Sequence, residues 1–343
     1  MPVKPIFMVS AWLSLFFWAM ACQKERQPEV PVVPEPLLAV PEGFPQPQFP
    51  ADNALTPARF ALGKRLFYDV AMSRDSSVSC ASCHAPDRAF SDTVALSPGA
   101  GGAPGKRNAP TLANVAYHPY FTREGGVPTL EMQILVPIQE HNEFDFNILS
   151  IADRLKTDTA YIRLSREAYG RDPDFYIITR GLACFERTLI SGESRYDQFA
   201  SSNQTKALTA SEQRGMALFF SEKTNCSTCH SGFNFTNYAF ENNGLSETYD
   251  DPGRFRLTGD TSDMARFKVP TLRNVGLTAP FMHDGSFPTL ERVVEHYNSG
   301  GKKHPQRSPL VRPLGLTPGQ RADLVAFLKS LTDEHFVSNK KFR

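Results

Sequence analysis

Apolar residues follow three regimes along this chain. From Ile6 to Met20 they run almost unbroken behind Lys4. From 23 to 50 they are interrupted by eight prolines, and beyond 51 they recur at helical spacing. Leu324, Val325, Phe327, Leu328 and Leu331 lie at i, i+3, i+4 and i+7 within 318–331, the stripe of an amphipathic helix. Thr56-Pro57 and Thr317-Pro318 place a capping hydroxyl before a proline at the first helical position. Thr209 with Glu212, and Thr317 with Gln320, fit the capping box. Strand alternation is not evident. The pattern predicts an all-α protein with long Gly- and Pro-rich loops.

The first apolar run reads as a secretion signal over 1–21, too short and wrongly flanked for a membrane span. Ala19-Met20-Ala21-Cys22 resembles a lipoprotein cleavage site that leaves Cys22 as an acylated first residue. Met20 is an unusual occupant of such a site, and plain secretion is the alternative. Residues 22–50 read as a polyproline-rich tether, with a reach of roughly 85 Å at about 3 Å per residue. Both tryptophans, Trp12 and Trp18, fall in the segment that would be removed.

Composition narrows the field. The net charge is +1 with no basic run, which argues against nucleic acid as a partner. Candidate chemistry lies in two Cys-x-x-Cys-His runs, Cys80-Ala-Ser-Cys83-His84 and Cys226-Ser-Thr-Cys229-His230. In this motif both thiols add to the vinyl groups of a haem and the histidine supplies an axial iron ligand. A zinc finger would need the pairs much closer than the 146 residues that separate them, and a redox Cys-x-x-Cys does not explain a histidine following both times. Two covalent c-type haems are predicted. Cys184, in an apolar context, reads as a buried thiol.

The two halves repeat one another. At an offset of 160, Pro110-Thr-Leu-Ala-Asn-Val115 returns as Pro270-Thr-Leu-Arg-Asn-Val275, and Phe121, Gly125 and Pro128-Thr-Leu-Glu131 return as Phe281, Gly285 and Pro288-Thr-Leu-Glu291. That makes eleven identities over the 22 positions 110–131, where chance composition gives about one or two. The fold expected is two cytochrome-c-like haem domains related by internal duplication, over 51–205 and 206–343.

Leu62-Gly63-x-x-Leu66-Phe67, Gly105-Lys-Arg-Asn-Ala-Pro-Thr111, Phe185-Glu-Arg-Thr-Leu189 and Phe267-Lys-Val-Pro-Thr-Leu-Arg-Asn274, together with the first haem motif, resemble the bacterial di-haem cytochrome c peroxidases, the family that includes MauG. The resemblance covers about 55–335. It implies a peroxidatic haem in the N-terminal half and an electron-transferring haem in the C-terminal half. Gln133 and Glu143 match the family's distal glutamine and catalytic glutamate. A carboxylate there can move a proton between peroxide oxygens while the amide orients the peroxide. His141 competes for the distal position. An interdomain calcium is implied at Asn108, Thr278 and Pro280.

Three departures from the family pattern follow. Ala100 aligns where many family members carry a histidine that caps the first iron, so that iron is expected to have an open position. Arg123 aligns with the family tryptophan between the haems, so electrons need another route, such as Phe121 or direct tunnelling. Tyr297 stands where most members place an axial methionine, as in MauG. His296, Met264 and Met282 are the alternatives for that ligand, and His283 reads as a neighbour of the site.

The function expected is reduction of hydrogen peroxide to water, with electrons from a small cytochrome c or other periplasmic donor. The alternative is a MauG-like oxidase that acts on a protein or organic partner through a high-valent iron state. A pure electron-transfer protein would leave Gln133 and Glu143 unexplained. The location expected is the periplasm or cell envelope, with membrane contact only through the Cys22 anchor and a homodimer admitted as an assembly.

Overall fold

The structure is a computed structural model that describes residues 1–3, 36–201, 204 and 206–343. All of the expected signal segment beyond residue 3, Cys22 and the first part of the expected tether lie outside the described residues. In the first half the helices are α1 Pro57–Tyr68, α2 Cys80–Cys83, α3 Leu130–Gln133, α4 Leu135–Gln139, α5 Ile148–Leu155, α6 Thr159–Tyr169 and α7 Phe175–Glu186. In the second they are α8 Arg195–Ser201, α9 Ala210–Phe219, α10 Cys226–Cys229, α11 Phe255–Thr258, α12 Leu290–Ser299, α13 Pro318–Ser330 and α14 Glu334–Ser338. The expected starts are observed: the Thr56 hydroxyl accepts from Arg59 N–H at 3.2 Å, and Thr209 and Thr317 form capping boxes with Glu212 and Gln320. One short ribbon departs from an all-α reading. β1 (Phe240–Glu241) pairs antiparallel with β2 (Phe267–Lys268), Phe240 opposite Lys268.

Each half is built on one close helix crossing. A Cβ on Gly63 of α1 would lie 1.9 Å from the Gly181 carbonyl oxygen of α7, and a Cβ on Gly215 of α9 would lie 1.9 Å from that of Asp323 in α13. Only glycine permits either approach. Around the first crossing Leu62, Leu66, Phe67, Phe90 and Phe185 are fully enclosed. Phe219, Phe235, Phe327 and Leu331 form the corresponding core of the second half. Each buried aromatic or leucine side chain contributes roughly 1.5–3 kcal/mol.

The Pro-Thr-Leu-x-Asn-Val segments form the seam. Asn114 and Asn274 both adopt left-handed backbone conformations, at φ 61° and 60°, and both are fully buried. Asn114 Nδ2 donates to the Ser191 carbonyl at 2.8 Å, and Asn274 Nδ2 donates to Ser191 Oγ at 2.9 Å. One serine thus receives an asparagine from each half.

The segment before α1 differs from the expected tether. Leu37 packs on the first-half core, and the compact body begins there. Phe44 packs tilted against Phe233 at 4.7 Å, under the Arg273 guanidinium at 4.7 Å. Prolines already restrict the unfolded chain, so Leu37 and Phe44 dock at a lower entropic cost than in a flexible linker. Among the described residues no helix is long and apolar enough to cross a membrane.

Candidate haem-binding active site

Helices α2 and α10 are single turns whose ends hold the two motif cysteines. Ser82 Oγ accepts the Ser79 N–H at 3.0 Å and closes the start of α2. Asn225, left-handed at φ 54°, opens α10. The histidine after each turn is oriented the same way: His84 Nδ1 donates to the Phe90 carbonyl at 2.9 Å, and His230 Nδ1 to the Phe235 carbonyl at 3.1 Å. A carbonyl only accepts, so Nδ1 carries the hydrogen and Nε2 is left with its lone pair. Burial lowers both imidazole pKa values and keeps the rings neutral, as a metal ligand requires.

A cavity of about 620 Å³ adjoins the first motif. Cys80, Cys83 and His84 line it together with Gln133, Ile134, Pro137, Glu140 and Glu143. Gln133 Oε1 is buried without a protein partner. Glu143 is accessible at the cavity it lines, yet burial raises its carboxyl above the ordinary range; Glu140 reinforces this and Lys106 opposes it. Ala100 is buried beside it and donates its N–H to the Glu143 carbonyl at 2.7 Å. The only histidine lining the cavity is His84. His141 turns outward to bond Asp145 at 2.6 Å, with 88% of its side chain exposed, which removes it as a distal competitor.

The second motif meets α12. Tyr297 lies close enough to Cys226 and Cys229 for its charge to couple to theirs, and its hydroxyl bonds the Asn243 side chain. Burial pushes that phenol up to about 12. Asn243 organises two of the alternatives as well: its carbonyl accepts from His296 Nε2 at 2.9 Å, and its Nδ2 donates to Met282 Sδ at 3.3 Å. His296 is thereby turned to backbone. His283 stacks on Phe267 at 4.2 Å. Nothing places Met264 with the motif residues.

Arg123, at the tryptophan position, lines the first cavity. Its Nη2 donates to the Asn108 carbonyl at 2.6 Å and to Asn108 Oδ1 at 3.3 Å. Enclosure and the nearby Arg107 pull its pKa down to about 10, which still leaves it charged at neutral pH. This arrangement does not fit a calcium ion at Asn108, Thr278 and Pro280. Asn108 Oδ1 faces the Arg123 guanidinium, whose charge opposes a dication in a low-dielectric setting. Among the described residues no three His, Cys, Asp or Glu side chains are placed to hold a metal. Phe121 is buried and stacks on His118, which meets Tyr238 at 5.3 Å; Tyr120 stacks on Phe240 at 5.2 Å. Aromatic rings therefore bridge the halves without tryptophan.

Glu186 was not singled out by the sequence reading. It lies only 5% exposed on the cavity wall, and burial pushes its carboxyl up to about 8. The available signals were its place in Phe185-Glu-Arg-Thr-Leu189, one of the segments that carry the family resemblance, and an acid closing an otherwise apolar run, Gly181-Leu-Ala-Cys-Phe185. Cys184 is fully buried, as its context suggested.

The first site fits a covalent haem. Two thiols on one turn, a neutral imidazole with free Nε2, and a cavity with an unpartnered amide oxygen match that group's attachment, ligation and size. The second site repeats the attachment residues and adds a phenol.

Comparison with known proteins agrees. The family model described as di-haem cytochrome c peroxidase matches residues 57–205, and that described as cytochrome c matches 212–332. The methylamine utilization protein MauG of Methylorubrum extorquens is 38% identical over 297 residues, 86% of this chain and 83% of that protein. The cytochrome-c peroxidase IdrP1 of Denitromonas iodatirespirans is 32% identical, covering 82% and 84%. The crystal structure of a MauG-like protein associated with microbial copper homeostasis superposes with a TM-score of 0.84 at 35% identity, covering 89% of this chain and 97% of that one. With its two haem c attachment sites, the chain belongs to the di-haem cytochrome c peroxidase and MauG family.

Proposed function

We propose that this protein reduces hydrogen peroxide to water at the first site, with electrons from a small periplasmic donor such as cytochrome c entering through the second. The observation that carries this reading is the convergence of Gln133 and Glu143 on one cavity with Cys80, Cys83 and His84. A haem bound there would supply the iron chemistry of peroxide reduction. In this reading Gln133 orients the peroxide, and Glu143 moves a proton from one peroxide oxygen to the other at its carboxyl. The raised Glu143 pKa suits a group that both accepts and returns a proton. Steady-state oxidation of a reduced cytochrome by peroxide, in parent and Glu143→Gln, tests it.

A second reading is favoured by Tyr297 beside Cys226 and Cys229. A phenolate ligand favours oxidised iron, which suits an oxidase that draws electrons from a protein or organic partner. One solved relative is MauG-like and associated with microbial copper homeostasis, so copper-handling proteins are the first partners to screen. Product analysis on such partners separates this reading from the first.

Around either activity we place the protein in the periplasm or cell envelope, anchored through acylated Cys22, with a homodimer open to test by sedimentation. The two haem units are read as an internal duplication. Support comes from the matched left-handed asparagines and the matched bridges Phe121 to Val127 and Phe281 to Phe287.

A further inference from the structure

Glu186 fronts the same cavity as Glu143, beside the first haem motif. Glu186 closes α7, on the same helical face as Leu182 one turn earlier, and both residues line the cavity. Cys80 lies within electrostatic reach of both Glu186 and Glu143.

The surroundings of Glu186 keep it neutral. Its neighbour Arg187 is the obvious counterion, but that fork is committed to Glu131 of α3, with bonds of 2.6 and 2.9 Å. Asn53 Nδ2 adds a third bond to Glu131 at 3.0 Å. Burial still outweighs the downward pull of Arg187 on the Glu186 carboxyl, and Glu131 pushes it up further. α1 presents Leu62, Leu66 and Phe67 to α7, α5 presents Ile151, Ala152 and Leu155, and α2 presents the Cys80 thiol. The C-terminal end of α7 carries the negative pole of the helix, which further disfavours a carboxylate there. A carboxyl enclosed without a partner holds its proton through neutral pH.

We propose that Glu186 is a second proton-carrying group of the first haem cavity, holding in reserve one of the two protons that peroxide reduction consumes. This rests on the peroxidase reading above. The balance is one peroxide, two electrons from the donor and two protons giving two waters. Glu143 moves a proton within the peroxide and adds none to the total. Glu186 would release its carboxyl proton toward the cavity and be reprotonated from solvent between turnovers. Its raised pKa matches a group that gives up a proton near neutral pH without carrying charge at rest.

The test uses the holoprotein with both haems. Infrared spectroscopy should show the carbonyl stretch of a buried protonated carboxyl that disappears as pH rises through about 8. The band should vanish in Glu186→Gln, an uncharged substitution of the same shape, and persist in Glu143→Gln. Equal haem content and unchanged visible spectra establish that Glu186→Gln is folded. Peroxide turnover by Glu186→Gln should fall by about 10²-fold at neutral pH and lose the parent's decline above about pH 8, with Glu186→Asp restoring part of both. A band untouched by Glu186→Gln, or turnover equal to the parent across the pH range, overturns the proposal. Failure of the peroxidase reading looks different: the parent itself does not turn peroxide over, while the infrared band still reports where the proton sits.

Discussion

Ala100 donates its backbone N–H to the carbonyl of Glu143 at 2.7 Å, so the residue expected at the family's capping-histidine position is fastened to an acid of the cavity wall. Gly99 reinforces the contact, since a Cβ there would lie 2.2 Å from the Asn142 carbonyl oxygen. A methyl side chain at 100 cannot ligate iron, and no other histidine lines the cavity opposite His84. The oxidised holoprotein should therefore show a high-spin ferric signal in electron paramagnetic resonance and react with peroxide without prior reduction. Two low-spin signals alone would contradict an open first site.

Tyr297 gives the second site its own signature. A phenolate stabilises ferric iron, whereas a thioether raises the potential. Tyr297→Met should raise the potential of the second haem and introduce the near-infrared absorption of methionine-ligated ferric haem. No change in potential for either Tyr297→Met or Tyr297→Phe would assign the ligand elsewhere.

Asn114 tests the seam. Its carboxamide donates to Ser191 and Asn234 at 2.8 and 3.0 Å, and its Oδ1 accepts the Ser191 N–H at 2.8 Å. Asn114→Ala leaves buried polar groups of Ser191 unpaired and places an alanine at φ 61°, a loss of about 3–5 kcal/mol. Urea denaturation at equal haem content measures it. A loss below about 1 kcal/mol would mean that the seam relaxes around the gap.

The position of Arg123 bears on calcium. Metal analysis of purified holoprotein should find well under one calcium per chain, and chelation with EGTA should leave the haem spectra and melting temperature unchanged. Stoichiometric calcium that alters either on removal would restore the expected ion and require Arg123 to move away from Asn108.

What the sequence disclosed tracks how local each cause is. The haem turns and the helix caps depend on residues a few positions apart, and spacing exposed them, whereas the Gln133/Glu143 pair was reached through the family resemblance. Residues set by distant neighbours stayed hidden. Glu186 reads as an ordinary helix-end acid until Glu131, 55 positions earlier, is seen holding the arginine beside it. Leu37 and Phe44 look like linker residues until the first-half core receives one and Phe233 with Arg273 receives the other. Asn243 carries no motif, yet it joins Tyr297, His296 and Met282 because the loop after β1 folds back onto α12. His141 failed in the opposite way, since proximity in sequence to Glu143 did not bring it into the cavity.

The most direct test of the central claim is peroxide-dependent oxidation of a reduced small cytochrome c by the holoprotein, followed at the cytochrome's visible band. The parent should turn over, and Glu143→Gln, with both haems attached and spectra intact, should lose about 10²–10⁴-fold. A parent that leaves the cytochrome reduced, or a Glu143→Gln variant within about twofold of it, would contradict the assignment of the Gln133/Glu143 cavity as the site of peroxide reduction.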